Sequence, residues 1–194
     1  ATMPSKVIRL TDDFLEYPQK VEVTPEVVTV EAIEQRLYEV LNAKTKLNLL
    51  EHLLQDIRLV RVMVFVKTKT SADNIGKYLE RKELGPVRIV HANKGQHSRM
   101  NAVNDFKDGD VRVLVSTDIT SRGMDISMVS HVINYDVPLI YEDYVHRIGR
   151  TGRAKNSGVA ITFANEVEMA HIPKIEALIR QPIPVADFPE EVLV

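Results

Sequence analysis

The sequence of 194 residues contains no cysteine, and this absence removes two classes of site. Disulfide frameworks and thiolate zinc sites both require cysteine. The six histidines are scattered, and no two of them have the spacing of a metal-ligand pair. Any metal ion at a functional site would therefore arrive with a nucleotide.

Long apolar runs are also missing. No stretch approaches the roughly 20 apolar residues that cross a bilayer, and the amino-terminal residues lack a signal-peptide pattern. We therefore expect a cytoplasmic protein without a membrane partner. The chain starts at Ala1 rather than at a methionine, which suggests a fragment or a processed product.

The sequence has little excess charge, since its formal net charge is −2. Proteins that bind nucleic acid through bulk charge usually carry a clear basic excess. Any contact with a polyanion must therefore be local. The sequence also lacks the phosphate-binding loop G-x-x-x-x-G-K-[ST], because none of the eight glycines precedes Lys-Ser or Lys-Thr. In addition, no paired acidic motif follows a predicted strand to hold magnesium.

The most distinctive stretch of the chain is an octet, HRIGRTGR, at residues 146–153. Arg147, Arg150 and Arg153 recur at every third position, with Gly149 and Gly152 between them. Glycines at these positions do not fit a regular amphipathic helix, but they let the backbone approach a ligand. Guanidinium groups bind phosphate oxygens through paired donors. The alternative is three surface arginines in ordinary ion pairs around a turn.

Short β-branched runs alternate with helical patterns along most of the chain. The predicted strands are 61–66, 87–90, 111–115, 132–135 and 159–163. Five helices are predicted. The first spans 46–57, with Ile57 on its apolar face, the second is capped by Ser71, and the third ends at Gly109. The fourth follows Pro138 and carries Arg147 to an edge of the sheet, and the fifth begins at Pro173. This alternation predicts an α/β fold with a doubly wound, mainly parallel sheet and helices on both faces.

The ends of the chain differ from this alternation. Residues 1–16 have the pattern of a short amphipathic helix, and 19–30 that of an extended connector leading into an edge strand. We expect residues 1–26 to be a preceding segment and linker, 27–180 to be the compact domain, and 181–194, with three prolines, to be a surface strap or linker.

Polar residues follow four of the predicted strands, at the end where a parallel sheet binds its ligands. These stretches are 67–70, 91–96, 116–118 and Asp136. The segment 117–125 offers the Thr117 hydroxyl, the Arg122 guanidinium, the accessible backbone of Gly123 and the Asp125 carboxylate. Gln96 and Arg99 lie one turn apart at a helix start. Alternatively, Asp118 and Asp125 are turn or cap residues and Arg99 is solvated, while His91 and His97 are interpreted as structural.

Together these motifs resemble the C-terminal RecA-like domain of a bacterial DEAD-box RNA helicase, over nearly the whole chain. The matching segments are HRIGRTGR (146–153, motif VI), STDITSRGMD (116–125, motif V), VINYDVP (132–138), QHSR (96–99, the Q-x-x-R element), VFVKTK (64–69, motif IV) and ATMP (1–4, the end of the Ser-Ala-Thr motif). The sequence departs from the family pattern at two places: Lys67 stands where asparagine or a small polar residue is common, and HANKGQ at 91–96 replaces the usual His-Gly start. These departures put individual RNA contacts in question, but not membership of the family.

The resemblance implies the C-terminal half of an ATP-dependent RNA helicase, inactive without its first RecA-like domain. That domain, the same polypeptide's other half, would hold most of ATP and its Mg²⁺. The implied roles are arginine fingers for Arg150 and Arg153, ribose contact for Asp125, RNA phosphate and sugar contacts for Arg99, Thr117, Arg122 and Gly123, and interdomain coupling for His146 and Arg147. RNA binding would be independent of base sequence, and we expect this chain by itself to be monomeric.

Two other functions stay open on the sequence. One is a free-standing RNA-binding or scaffold module that performs no nucleotide chemistry. The other is a DNA-directed helicase of superfamily 2, which DNA rather than RNA would stimulate, because the 2′-hydroxyl distinguishes the two nucleic acids.

We expect the isolated chain to bind RNA weakly and with clear salt dependence, because a local set of cations would contact phosphates and release counterions. Titration of a labelled RNA at low and at moderate salt measures both properties. Tight binding that salt does not weaken would contradict this expectation.

Overall fold

A six-stranded parallel sheet forms the centre of the computed structural model, which describes residues 14–15, 32–121, 124–127, 129–152 and 158–192. Its strands are β1 Ile33–Glu39, β2 Val62–Phe65, β3 Val87–Val90, β4 Val113–Ser116, β5 His131–Asn134 and β6 Gly158–Ala164. They lie in the order β1-β6-β5-β2-β4-β3, and all five pairings are parallel.

Helices cover both faces of this sheet. They are α1 Ala43–Leu54, α2 Lys69–Arg81, α3 Gln96–Asp108, α4 Asp118–Ser121, α5 Glu142–Ile148, α6 Glu166–Met169 and α7 Ile172–Ile179, followed by a 3₁₀ turn, Glu190–Val192. Helices α1 and α2 pack on one face, and α3, α5 and α7 pack on the other. The predicted doubly wound α/β fold is therefore confirmed.

The central strand β2 shows why this layering is stable. Side chains alternate between the two faces of a strand, so Val62 and Val64 join the core under α1 and α2, while Met63 and Phe65 join the core under α3. All four side chains are fully buried. A continuous apolar run is what a strand covered on both faces requires.

The sheet has its topological switch point between β2 and β5. From β2 the chain continues toward the β3 edge, whereas from β5 it continues toward the β6 and β1 edge. Ligands of open α/β sheets bind beyond the carboxyl ends of the strands at such a point. The residues that follow β2, β4 and β5 therefore lie where a ligand is expected.

Two details of the sequence prediction are wrong. Helix α1 ends at Leu54, so Ile57 is 86% exposed instead of lying on the buried face of a helix. Helix α2 begins earlier than predicted, because the Thr68 hydroxyl accepts a hydrogen bond from the Ser71 backbone N–H at 3.0 Å and Thr68 is the cap. The patterns expected in 1–13 and 16–31 lie outside the described residues.

The segment after α7 runs along the outer edge of β1. The Leu37 N–H donates to the Pro184 carbonyl, and the Ala186 N–H donates to the Leu37 carbonyl, both at 2.8 Å. Phe188 then packs edge-on against Tyr38. This segment satisfies backbone groups that an edge strand otherwise exposes. Within the described ranges, no helix is long and apolar enough to span a membrane.

At the amino end of the sheet, one arginine holds several loops together. The Arg112 guanidinium donates to the carbonyl oxygens of Leu54 at 2.7 Å, Asp56 at 3.0 Å, Leu59 at 2.9 Å and Leu84 at 2.6 Å. Arg112 thereby joins the end of α1, the turn before β2 and the turn before β3.

We expect Arg112→Met to lower the free energy of unfolding by about 2–4 kcal/mol, because four partly buried carbonyl oxygens lose their donor. Arg88→Met is the matched control. Arg88 is half-exposed and its ion pair with Asp105 is 3.4 Å long, so its loss should cost less than about 1 kcal/mol. Urea denaturation of both variants measures the difference, and equal losses would contradict the assigned role.

Candidate functional site

The first arginine of the octet, Arg147, lies at the carboxyl edge of the sheet but is not presented to solvent. The short helix predicted after Pro138 is present as α5, and Arg147 is in its last turn. The Arg147 side chain is only 2% exposed. A buried guanidinium requires a full set of acceptors, and the strand ends supply them.

Arg147 has partners on three strand ends. Its Nε and Nη2 donate to the two carboxylate oxygens of Asp118 at 2.6 and 2.7 Å. Its Nη1 donates to the Asp136 carbonyl at 2.7 Å and to Asn134 Oδ1 at 3.2 Å. The guanidinium carbon lies 5.1 Å from the centre of the Phe65 ring. One side chain therefore connects the carboxyl ends of β2, β4 and β5.

Asp136 extends this network to both neighbouring segments. One oxygen of its carboxylate accepts from the Lys67 N–H at 2.8 Å, and the other lies 3.1 Å from Lys46 Nζ. Lys46 is 4% exposed and also pairs with Glu168 at 2.6 Å. Burial, together with the carboxylates of Asp136 and Glu168, raises the pKa of the Tyr135 phenol beside them. The network links α1 to the switch point.

Arg150 lies against the segment that follows β4. Its Nη1 donates to the Met124 carbonyl at 2.9 Å and to the Ile126 carbonyl at 3.4 Å, and its Nη2 donates to the Ser121 carbonyl at 3.3 Å. These hydrogen bonds fix the second arginine of the octet beside the predicted carboxylate, Asp125.

The backbone geometry explains one of the two glycines of the octet, Gly152. Gly152 has φ of +73°, which costs glycine little, and a Cβ on Gly158 would lie 2.3 Å from the Gly152 nitrogen. Gly149 has an ordinary φ of −64°. The turn therefore accounts for Gly152 without a ligand, and the close crossing explains the glycine at the start of β6, Gly158.

Thr117 directly follows β4 and is 8% exposed. Its N–H donates to the Val90 carbonyl at 3.4 Å, and its hydroxyl lies 3.2 Å from that of Thr120. Thr117 thus ties the end of β4 to the end of β3, beside the start of α3.

Gln96 and Arg99 begin α3, as predicted. Gly95 is the N-cap, and an Arg99 Nη2–H donates to Gln96 Oε1, while Arg99 Nε is buried without a partner among the described residues. His91, before this turn, is 3% exposed and lies 3.1 Å from Asp73. That hydrogen bond lowers the pKa of the Asp73 carboxyl. Burial and this hydrogen bond agree with the structural role predicted for His91.

Two further predicted residues are accessible from solvent. The Asp125 side chain is 82% exposed and pairs with Lys107 at 3.1 Å. His146 is half-exposed, with Nδ1 3.6 Å from an Asp143 oxygen in the same helix. Three predicted residues lie outside the described residues: Arg122, Gly123 and Arg153.

Reasoning from the sequence missed three members of the network, Lys46, Asn134 and Glu168. Asn134 gave a usable signal, since a polar side chain inside an apolar strand needs a buried partner. Its Nδ2 donates to Thr162 Oγ1 at 3.1 Å, and both side chains are fully buried. Lys46 gave none, because a lysine in an amphipathic helix normally belongs to the solvated face.

The described residues of this edge can supply charge and position. Arginines suit phosphate oxygens, and an exposed carboxylate such as Asp125 accepts hydrogen bonds from hydroxyl groups. In the part of the chain that the structure describes, no three His, Asp or Glu side chains are grouped to hold a metal ion. The described residues therefore do not fit a magnesium site, which needs several oxygen ligands.

Comparison with known sequences identifies close relatives. A family profile described as "Helicase conserved C-terminal domain" matches residues 45–155. The chain is 40% identical over 193 residues to an ATP-dependent RNA helicase RhlB of Shewanella denitrificans, covering 100% of this chain and 44% of the relative. It is 39% identical over 189 residues to the DEAD-box ATP-dependent RNA helicase RhpA of Helicobacter pylori, covering 97% and 38%. The chain thus spans less than half the length of these curated relatives.

Comparison with solved structures also identifies DEAD-box proteins as similar to this chain. The E. coli DEAD-box protein SrmB, bound to regulator of ribonuclease activity A, superposes with a TM-score of 0.76 at 32% identity, covering 82% of this chain and 93% of that one. S. cerevisiae Dbp5 bound to RNA and ADP BeF3 superposes with a TM-score of 0.77 at 29% identity, covering 97% and 49%.

We expect Arg147→Lys to lower the free energy of unfolding by about 3 kcal/mol, because an ammonium group cannot make the forked contact and leaves buried acceptors unpaired. Arg36→Lys is the control, since Arg36 is an exposed arginine paired with Glu34 and should change stability by less than about 1 kcal/mol. Chemical denaturation compares the two. A loss for Arg147→Lys no greater than for the control would rule out the central role of Arg147.

Proposed function

This chain belongs to the helicase conserved C-terminal domain family, and from that membership we propose that it is the C-terminal RecA-like half of an ATP-dependent DEAD-box RNA helicase. The family predicted from the octet and its companion motifs is confirmed by the match over 45–155. The chain lacks a phosphate-binding loop, so the nucleotide phosphates would be cradled by the first RecA-like half. In this proposal residues 27–180 form the helicase domain, between a linker within 1–26 and a strap at 181–194.

The observation that carries the proposal is the contact between Arg150 and the segment around Asp125. The Arg150 guanidinium donates to the Met124 and Ile126 carbonyls, the residues on either side of Asp125. A group suited to phosphate and a group suited to ribose hydroxyls thus lie at one place on the carboxyl edge. A module that only binds RNA does not require this pairing.

In the proposed mechanism, Arg150 and Arg153 act as arginine fingers on ATP that the first half holds. They neutralise charge that develops on the transferred phosphoryl group, an effect worth on the order of 10³ to 10⁵ in rate. Asp125 contacts the ribose. Mg²⁺ neutralises phosphate charge when it is bound with ATP, and it would be held by the first half.

RNA would be bound at the adjacent ends of β3 and β4. Arg99 and Thr117 border this surface in the structure, and Arg122 and Gly123 complete the proposed set. Contacts to phosphates and sugars fix position without reading base sequence. The structure of the relative Dbp5 contains RNA together with ADP BeF3, which supports a joint site for RNA and nucleotide.

Coupling between the halves would depend on His146 and Arg147 in different ways. His146 is half-exposed and can contact the first half directly. Arg147 is buried, so it acts by positioning Asp118 and the main chain of Asp136. Closure of the two halves on ATP and RNA would then bend one strand of a duplex and open it locally.

We expect the isolated chain to show no RNA-stimulated ATP hydrolysis, and we expect hydrolysis when the first half of the full-length protein is added or linked. In the full-length protein, Arg150→Gln should reduce kcat by about 10³-fold, because a transition-state charge loses its partner. RNA should stimulate turnover and DNA should not.

Arg88→Gln, which alters a half-exposed arginine paired with Asp105 and outside the proposed contact set, is the activity control. Arg150→Lys keeps the positive charge and separates a folding defect from a catalytic one when urea midpoints are measured alongside. Unchanged turnover in a folded Arg150→Gln protein would eliminate the finger role and favour an RNA-binding module.

A further inference from the structure

A cleft at the amino end of the sheet takes no part in the proposed nucleotide and RNA contacts. This amino-end cleft is bounded by the end of α1, the turn before β2, the start of β5 and the first residues of β6. Its volume is about 920 Å³, and small-molecule sites usually have volumes of roughly 300–1,000 Å³. A cleft of this size can enclose a small organic ligand.

The lining of the cleft combines apolar surface with positive charge. Its apolar residues are Leu53, Leu59, Val129, Val159 and Ile161. Its charged and titratable residues are Arg36, His52, Asp56, Arg58, Arg61 and His131. Among these described residues, three arginines face one carboxylate. An apolar surface with a few convergent cationic donors suits an organic anion.

Arg61 supplies the guanidinium that is available to such an anion. Its main chain is fixed by Ser130, because the Arg61 N–H donates to the Ser130 hydroxyl at 3.1 Å and the Arg61 carbonyl accepts from that hydroxyl at 2.9 Å. Within the described part of the chain, the partly buried Arg61 guanidinium has no hydrogen-bond or ion-pair partner, whereas the other two arginines of the lining pair with carboxylates. Its paired donors match the oxygens of a phosphate group.

His131 adds a second donor, and the same serine sets its tautomer. The His131 Nδ1 lies 3.0 Å from Ser130 Oγ. Since the Ser130 hydroxyl donates its hydrogen to the Arg61 carbonyl, Nδ1 must carry a hydrogen and donate to Ser130. The other nitrogen, Nε2, is then an acceptor in the neutral ring and becomes a donor only when the ring is protonated. Protonation therefore adds a donor and a positive charge to the lining.

The surroundings of His131 oppose this protonation until an anion is present. Burial and the Arg36 guanidinium lower the pKa of His131, as does Arg58, while the carboxylates of Asp56 and Glu34 act in the opposite direction. A bound anion would raise the pKa, because negative charge favours the imidazolium form. Binding is then accompanied by proton uptake, so the affinity for an anion should rise as the pH falls.

The cleft is connected to the arginine octet by hydrogen bonds. Thr151 lines the cleft, and its hydroxyl donates to the Val129 carbonyl and, at 3.2 Å, to the Ser130 carbonyl. The Val129 N–H donates to the Arg150 carbonyl at 3.2 Å. The segment that holds Arg61 in place therefore also contacts the main chain of the octet.

We propose that the amino-end cleft binds a small organic phosphate, with the phosphate on Arg61 and His131 and the organic part on the apolar lining. A nucleoside monophosphate has this chemistry. The volume of the cleft matches a small ligand better than a chain, and nucleic-acid chains are usually bound by several available cations rather than one. Binding itself does not depend on the proposed function. A second step does rest on that function, namely that the ligand acts as an effector of the octet.

We expect adenosine monophosphate, guanosine monophosphate or inorganic pyrophosphate to shift the imidazole NMR signals of His131 in the isolated chain, with higher affinity at about pH 6 than at about pH 8. Arg61→Gln should weaken this binding about tenfold or more, because the phosphate loses its paired, charged donors. His131→Asn keeps a donor for Ser130 and should remove the dependence on pH.

The matched control is Arg88→Gln, which alters a half-exposed arginine outside the cleft and should leave the affinity for the probes unchanged. Urea midpoints test whether Arg61→Gln remains folded. Arg61→Lys is the second variant, since it keeps the charge without the fork and should weaken binding less than Arg61→Gln.

Three results would overturn the site. The first is an unchanged His131 signal with all three probes at millimolar concentration, and the second is binding that Arg61→Gln leaves intact. The third is a His131 shift caused only by a short RNA or an acidic peptide, which would make a macromolecule the occupant. Probe binding that is lost in Arg150→Gln but kept in Arg61→Gln belongs to the second result, because it assigns the probe to the proposed nucleotide contacts.

The effector role is measured separately in the full-length protein. The Arg61-dependent affinity for the probe should change about fivefold or more when RNA and a non-hydrolysable ATP analogue are bound, since coupling between sites is commonly of this size or larger. An unchanged affinity would remove the effector role and leave the site established by the isolated chain. Unchanged ATP turnover in Arg150→Gln would refute the proposed function instead, and would not affect binding in the cleft.

Discussion

The forked contact between Arg147 and Asp118 fixes the relative positions of the strand ends on which the site is built. Asp118 follows β4, while the other acceptors of Arg147 belong to the end of β5. Because the guanidinium is planar, it can satisfy these acceptors in only one arrangement. The positions of Asp136 and the β4 segment follow from that arrangement, and Arg150 then contacts a segment already fixed at its start.

Regular spacing in sequence does not produce equivalent roles in space. Arg147 belongs to a helix and points into the core, whereas Arg150 lies beyond the end of that helix and contacts main-chain carbonyls. The helix end between them changes the direction of the side chain. The arginine repeat suggests one cationic surface, but its members have different roles. Arg147 holds the framework of strand ends together, and Arg150 lies beside the proposed nucleotide contacts.

Much of the fold could be predicted because local pattern and final burial agree. The run RVMVFV became a strand covered on both faces, and Gly109 ended α3 in the left-handed conformation. The buried network could not be predicted, since its members meet only through strand order. Lys46 lies 90 residues from Asp136, and Asp118 lies 29 residues from Arg147. Candidate contacts at strand ends could be predicted, because each polar stretch directly follows its strand.

The pairing of the first strand with the last has a consequence for the order in which the chain can assemble. Strand β1 pairs with β6 and with the segment around Val185, both from the end of the chain. Among the described residues, β1 therefore has no strand to pair with until β6 has been synthesised, and unpaired strands are prone to association. Glu34 and Arg36 are exposed on β1, and charged side chains of this kind hinder wrong pairing during the delay.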